Sequence, residues 1–412
     1  MAIPFFSIDV RKPEISKLLK GIFFPFNTNL SEQKLKLILE GRFPNKKIAL
    51  LPSARIGFYL TLKKYFKEND EIIFSSMSFP LYIKIANQLN LKVRLVDVNP
   101  NDLNINAEKI EKNINKNTKA IVVTHLFGYP CEIEKIRKIA KENNILLIED
   151  CAQSFNSKFK GIKTGYFGDV GIFSFSLVKV PTTLGGGMII TEDLSLVEFI
   201  ENWKNENLNN SFKNHFSFLI KNILTIFNSI PFFYTLLSSN IFFFLNRFNP
   251  RVYRKIVYSG MGIRNKVFDP KERNNLSKYQ INFGISQLEK YELMKSQCKK
   301  NSVYLKENLK NIDNISFLNY DDNVNWNYQY FVIKIKKNYE QFNKKLFDQG
   351  IHSMEENVWN CLEYNLTIEN NEDDFKNTLE NSKKLLRIQN SSYLTKKHLD
   401  KIINSIKLSA KN

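Results

Sequence analysis

The sequence predicts an α/β protein: a large domain built on a mostly parallel sheet, followed by a small α+β domain. Three observations carry this. From residue 48 to 200 short apolar runs alternate with amphipathic stretches, from 201 to 270 the alternation stops, and from 271 a helix-rich pattern with isolated strands takes over. Short apolar strands separated by amphipathic helices indicate a buried parallel sheet covered on both faces. The 412 residues are too many for one small core,. They divide into a large domain with an N-terminal arm (1–200), a helical apolar insertion (201–270) and the small domain (271–412).

The elements follow in order. KIALLPS reads as a strand and ARIGFYLTLKKYF as the helix after it; DEIIFSS, the helix LYIKIANQLN and the strand KVRLVDV come next. After a polar link, the helix AEKIEKNI leads to the strand KAIVVTHLFG, the helix CEIEKIRKIAKENN and the strand ILLIEDC. Beyond the insertion, one long amphipathic helix is expected over LSKYQINFGISQLEKYELMKSQCKKNSVYLKENL. A strand YQYFVIKI, a helix YEQFNKKLFDQGI ending at Gly350 and a closing helix TKKHLDKIINSIKL complete the small domain.

Composition narrows the function. A hydrophobic share of 43% with 25% charged residues is ordinary for a globular protein,. A net charge of +19 and a pI near 9.5 could serve nucleic acid or an anionic membrane,. The lysines, however, are spread along the whole chain, and neither an aromatic-basic RNA signature nor zinc spacing is present, so no nucleic-acid partner is expected,. Cys131, Cys151, Cys298 and Cys361 are far apart, which fits a reduced cytoplasmic protein without disulfides or a metal site,. The N-terminus lacks the basic-then-apolar order of a signal peptide,.

Residues 222–246 contain no charge and are long enough on paper to cross a bilayer,. Pro231, the SSN at 238–240 and basic residues at both ends argue against a spanning helix,. The alternatives are a pair of buried helices, a dimer-contact flap, or a segment peripheral to the inner membrane face.

Chemistry is sought at the carboxyl ends of the parallel strands. Asp150 ends one of them, with Gln153 three residues on. An acid there can be a metal ligand, a general base or a partner for a cationic ring. Lys179, between the segment FSFSLV and the glycines of TTLGGG, stands where backbone is kept bare of side chains,.

Taken together, IEDCAQSFNSKFKGIKTGYFGDVGIFSFSLVKVPTTLGGGMIIT resembles the signature of the DegT/DnrJ/EryC1/StrS family of pyridoxal-phosphate aminotransferases, many of which act on nucleotide-linked keto sugars. The matching elements are Glu149, Asp150, Ala152, Gln153, Gly168, Asp169, Ser174, Phe175, Lys179, Gly186 and Gly187. DEIIFSSMSFP, LVDVNPNDLNIN, THLFGYP, FGISQLEK and LTKKHLDKIINSIK fall in the family's order. Only the uncharged stretch lacks a counterpart.

The resemblance implies the fold-type I transferase architecture and pyridoxal 5'-phosphate as cofactor. Lys179 is then the catalytic lysine, bonding to the cofactor aldehyde and afterwards moving a proton. Asp150 would hold the pyridine nitrogen protonated and Gln153 would bind the phenolic oxygen. Ser53, Ala54 and Arg55 would supply the phosphate site, with Ser174 as a second donor. Phe79 would stack on the ring, His125 would lie near cofactor or substrate, and Asn275 would reach the neighbouring subunit's phosphate in a homodimer with shared sites.

Three departures stand out: Arg55 replaces a small residue, Gly185 replaces an acid common in the glycine turn, and RIQNSS stands where a Leu-Pro segment is common. The implied activity is transfer of an amino group from an amino acid such as glutamate to a keto sugar, in surface polysaccharide or amino-sugar biosynthesis. A sugar dehydratase, which would carry a histidine in place of Lys179, is the alternative, along with a non-catalytic, possibly membrane-associated relative.

Overall fold

A computed structural model describes residues 1–10, 14–16, 18, 29–208, 212–257, 268–270, 274–321, 324–355, 359–362 and 372–411. Helix α1 (Asn29–Arg42) leads into β1 (Lys47–Leu51), α2 (Ala54–Tyr65), β2 (Glu71–Ser75), α3 (Pro80–Gln88), β3 (Lys92–Val96), α4 (Ala107–Asn113), β4 (Thr118–Thr124), α5 (Ile133–Glu142) and β5 (Leu146–Asp150). A small hairpin, β6 (Lys158–Phe159) with β7 (Ile162–Lys163), precedes β8 (Val170–Ser174) and β9 (Gly187–Thr191). The seven long strands form one sheet in the order β1-β9-β8-β5-β4-β2-β3. Strands β3, β2, β4, β5 and β8 run parallel, while β9 is antiparallel to both β8 and β1. The parallel strands are continuous apolar runs because both faces are covered: β2 is buried at all five positions,. On α5, Ile133, Ile136, Ile139 and Ala140 form the buried stripe,.

Helix α6 (Leu194–Asn207) is followed by four helices: α7 (Phe212–Ser229), α8 (Pro231–Leu237), α9 (Ser239–Phe248) and α10 (Pro250–Val257). Among the described residues no single helix is long and apolar enough to cross a membrane, and α7 and α8 meet at a 100° bend. Pro231 sets that bend, since it opens α8 and cannot extend α7,. Of the three alternatives for 222–246, a fully buried helix pair does not match the structure: α9 buries Ser239 alone, and Ile241, Phe244 and Phe248 are exposed.

The long helix expected over 276–309 is two helices, α11 (Lys278–Glu289) and α12 (Tyr291–Leu309), parted at Lys290. The break follows from tertiary anchoring: Lys290 Nζ binds Asp9 Oδ1 at 3.0 Å and Glu14 Oε1 at 2.8 Å, tying the N-terminal arm to the joint. The small domain then adds β10 (Ile315–Phe317), β11 (Tyr330–Ile335), α13 (Tyr339–Asp348), β12 (Met354–Glu355), α14 (Lys376–Ser382), β13 (Leu385–Gln389) and α15 (Lys396–Ala410). Its sheet is antiparallel throughout, in the order β10-β11-β13-β12, and packs through Ile333, Leu386 and Ile388 against Leu346, Ile402 and Ile406.

Candidate active site

Ser53, Ala54, Arg55, Phe79, Asp150, Gln153, Ser174 and Lys179 line one cavity of about 120 Å³ between the two sheets. Each arrives there for a local reason. Ser53 ends the β1 turn and caps α2, its Oγ accepting from the Ile56 N–H at 3.3 Å, so the helix N-terminus faces the cavity at Ala54,. Gly187 at the start of β9 makes this possible: a Cβ there would lie 2.2 Å from the Ala54 nitrogen. Bare backbone beside a helix N-terminus is a cradle for a phosphate-sized anion.

Asp150 sits at the carboxyl end of β5, 2% exposed. Its Oδ1 accepts from the Ala152 N–H at 3.0 Å, and the Thr124 hydroxyl lies 3.4 Å from Oδ2. Burial raises its pKa, opposed by the Ala152 N–H, Lys179 and His125,. A desolvated carboxylate of this kind favours a cationic partner. Gln153 Oε1 accepts from the Phe127 N–H at 3.1 Å, which leaves its NH2 end as a donor for the cavity,.

Lys179 lies on a loop closed by a single acceptor. The Phe175 carbonyl receives the Thr182 hydroxyl (3.0 Å) and the N–H groups of Thr183 (3.0 Å) and Gly185 (3.1 Å). This knot presents the Lys179 amine, which donates to the Tyr330 hydroxyl at 3.3 Å. Gly185 and Gly186 adopt φ of +134° and +146°, so the turn requires residues without a Cβ,. A side chain at Gly185 would also strike Phe218 of α7, 2.9 Å away.

Two expected residues lie elsewhere. His125 is fully buried behind the strand ends: the Cys131 N–H donates to its Nδ1 (3.2 Å), which leaves the proton on Nε2 to donate to Glu149 Oε2 at 3.0 Å,. Glu149 also accepts from the Gly165 and Gly168 N–H groups. His125 therefore braces the strand end carrying Asp150 and does not reach the cavity, correcting the expected substrate contact. Asn275 does not line its own subunit's cavity; with Pro52, His215, Phe218 and Gln280 it lines a separate pocket of about 360 Å³.

The cavity holds residues the sequence did not single out: Tyr82, Ser176, Val178, Tyr330, Trp359 and Arg387. Tyr330 and Arg387 come from the paired strands β11 and β13 and sit diagonally on one face,. The buried Arg387 guanidinium lies 4.4 Å from the centre of the Tyr330 ring. Lys179, Arg55 and Arg387 around one carboxylate give a site suited to anionic ligands, with an amine at its centre.

The profile of the DegT/DnrJ/EryC1/StrS aminotransferase family matches residues 51–221 and 258–407. GDP-perosamine synthase of Escherichia coli O157:H7 is 36% identical over 141 residues, 34% of this chain and 39% of that protein. GDP-4-keto-6-deoxy-D-mannose 3-dehydratase of Yersinia pseudotuberculosis is 32% identical over 144 residues, 35% of this chain and 37% of that protein. These alignments span about two-fifths of the curated relatives' length. The fold is shared with the PLP form of a putative sugar aminotransferase from Streptococcus pneumoniae, at a TM-score of 0.77 and 15% identity over 100% of this chain and 99% of that one.

Proposed function

The chain belongs to the DegT/DnrJ/EryC1/StrS aminotransferase family, and from that premise we propose that it transfers an amino group from glutamate or a similar amino acid to a nucleotide-linked keto sugar. The observation that carries this reading is the convergence of a lysine amine, a buried carboxylate and a glycine-bared helix N-terminus on one cavity.

These residues fit pyridoxal 5'-phosphate. Ser53 Oγ, the α2 N-terminus and Ser174 offer donors for the phosphate, Asp150 a buried anion for the pyridinium, and Gln153 an amide donor for the phenolic oxygen. Bound there, the cofactor supplies an electron sink for the substrate's amino carbon. Lys179 Nζ, steered by the Tyr330 hydroxyl, is the base that takes the proton from that carbon and returns it,. Arg387 offers its guanidinium to the donor's carboxylate, and the Tyr330 ring holds it flat,. The aromatic wall of Phe79, Tyr82 and Trp359 excludes water,.

Lys179 also favours transamination over the dehydratase chemistry named for one relative, because that branch dispenses with the lysine. A homodimer with Asn275 supplied across the interface is part of the reading, supported by that residue's place outside its own cavity. So is a cytoplasmic site of action, supported by four buried free thiols,. The test is visible absorbance after incubation with pyridoxal 5'-phosphate. A band that changes on adding glutamate and is lost in Lys179→Ala supports the enzyme; absence of bound cofactor in the unaltered protein overturns it.

A further inference from the structure

We propose that helices α7 to α10 form an in-plane docking surface for an anionic lipid membrane. The surface is independent of whatever reaction the cavity performs.

The first observation is where the chain leaves apolar side chains in water. Among the described residues, twelve of the twenty-one exposed large hydrophobic side chains lie between 212 and 257. On α7, Phe216, Ile220, Leu224 and Phe227 recur at helical spacing as an outward stripe, while Leu219, Asn222 and Ile226 on the other side are buried. Leu219 and Ile226 pack there with Leu184, Tyr279 and Phe283, so the helix is already seated on the protein by one face and its apolar outer face is surplus. On α9, Ile241, Phe244 and Phe248 repeat the pattern at 58%, 61% and 72% exposure. Exposed patches of this extent mark an interaction surface.

The second observation is charge. From residue 207 to 268 the sequence holds no aspartate or glutamate, in a chain with 41 acidic residues, and it holds eight lysines and arginines. Lys213, Lys221, Arg247 and Arg251 among them are exposed. The acids nearest α9, Glu340, Asp348 and Glu355, lie across the cavity that Arg247 and Phe248 line and belong to the small domain. Apolar helical faces whose own segment carries only basic charge are complementary to an anionic bilayer surface.

The same charge argues against a second copy of this chain. A two-fold contact of these helices would set the patch against itself, bringing their basic residues together with no acid from the same segment to meet them,. Geometry argues against a span: among the described residues no single helix is long and apolar enough to cross, and α7, 18 residues and about 27 Å long, carries Lys213 and Lys221 and turns by 100° into α8,. The helices therefore lie along the surface. Their anchorage on both domains, through Leu219 on the large one and the Tyr234–His352 hydrogen bond on the small one, holds the cavity at a fixed orientation above the lipid. The family profile is interrupted at 222–257, within these helices.

The test is co-sedimentation of the full chain with vesicles of phosphatidylcholine alone and of phosphatidylcholine with phosphatidylglycerol. Binding to the anionic vesicles, weakened by raised salt and reduced at least about tenfold in the double variant Leu236→Glu, Phe244→Glu, is expected. Both positions are exposed, so the variant should keep the far-UV signal and solution mass of the unaltered protein. No binding to anionic vesicles overturns the proposal, as does binding that the variant retains in full. Dissociation of a larger assembly in the variant, without vesicle binding by the unaltered chain, assigns the surface to a second copy and equally overturns it. Cofactor absorbance, read on the same samples, reports separately on the aminotransferase reading.

Discussion

Arg387 separates what a local sequence pattern can show from what the fold must supply. Ser53, Asp150, Gln153, Ser174 and Lys179 each follow a strand or open a helix, so strand ends and turn glycines point to them. Arg387 and Tyr330 enter the same cavity only because β11 and β13 pair. The sequence marks Arg387 merely as the first residue of the unusual RIQNSS. His125 errs in the opposite direction: it follows a strand like a site residue, yet its two ring nitrogens are taken by the Cys131 N–H and Glu149. If the Arg387 guanidinium receives the donor carboxylate, Arg387→Met keeps the packing volume and removes a charge-assisted hydrogen bond. Such bonds contribute about 2–3 kcal/mol, so kcat/KM for glutamate should fall by roughly 30- to 150-fold. Cofactor absorbance should stay unchanged, because Arg387 is not among the residues that hold it. Titration of the variant with glutamate checks this, and an unaltered KM removes Arg387 from the donor site.

At the scale of elements, the strands of the large domain were legible because burial on both faces writes them as unbroken apolar runs. Those of the small domain were less so. β10 and β12 have three and two residues, too short for any periodicity, and β13 interrupts its apolar run with the buried polar residues Arg387 and Gln389. The exposure of α9 was also illegible, since an apolar sequence does not say which elements will cover it. One contact between elements should make the protein sensitive to acid. His352 Nδ1 shares a hydrogen bond with the Tyr234 hydroxyl of α8, and the ring stacks on Phe347 of α13 with ring centres 4.0 Å apart. Burial, aided by the nearby Lys401, lowers its pKa to about 3. The folded chain therefore keeps this ring neutral where the unfolded chain protonates it. The stabilisation is fully present above the ordinary histidine pKa of about 6.5 and is lost as pH falls from there toward 3,. Between pH 7 and 5 the contact should lose about 2 kcal/mol. His352→Phe should be less stable at pH 7 by about 1 kcal/mol, through the lost hydrogen bond, but should show a smaller drop by pH 5. Thermal melts of both proteins at the two pH values check the sign. An equal drop in the two would place the acid sensitivity elsewhere.

At the scale of the whole molecule, the cavity is walled by both domains, and the N-terminal arm straps them together. Ile3 bridges to Ile351 and the Asp9 carbonyl accepts from Gln287 and Lys290, partners that all lie in the small domain, while Ile8 and Val10 pack in one cluster with Leu184 of the large one. Besides His125, one further expected site residue lies outside this enclosure. Asn275 opens the segment before α11, and its side chain accepts from the Leu276 N–H at 2.9 Å in a pocket behind the glycine turn. If two subunits share their sites as proposed, Asn275 acts on the neighbour's phosphate, and a carboxylate in its place would repel that phosphate. Lys179→Ala and Asn275→Asp should then each abolish the glutamate half-reaction when alone. Mixed under conditions that exchange subunits, they should recover it in part. A hybrid dimer pairs an intact Lys179 on one subunit with an intact Asn275 on the other, giving one working site. Half of the dimers are hybrids after equal mixing, so about a quarter of the unaltered activity should return. Were Asn275 to serve its own subunit, the only cavity with Lys179 in a hybrid would also carry the aspartate, and mixing would restore nothing. The recovered fraction, read from the cofactor's absorbance change, therefore distinguishes a shared site from a self-contained one without knowledge of the sugar.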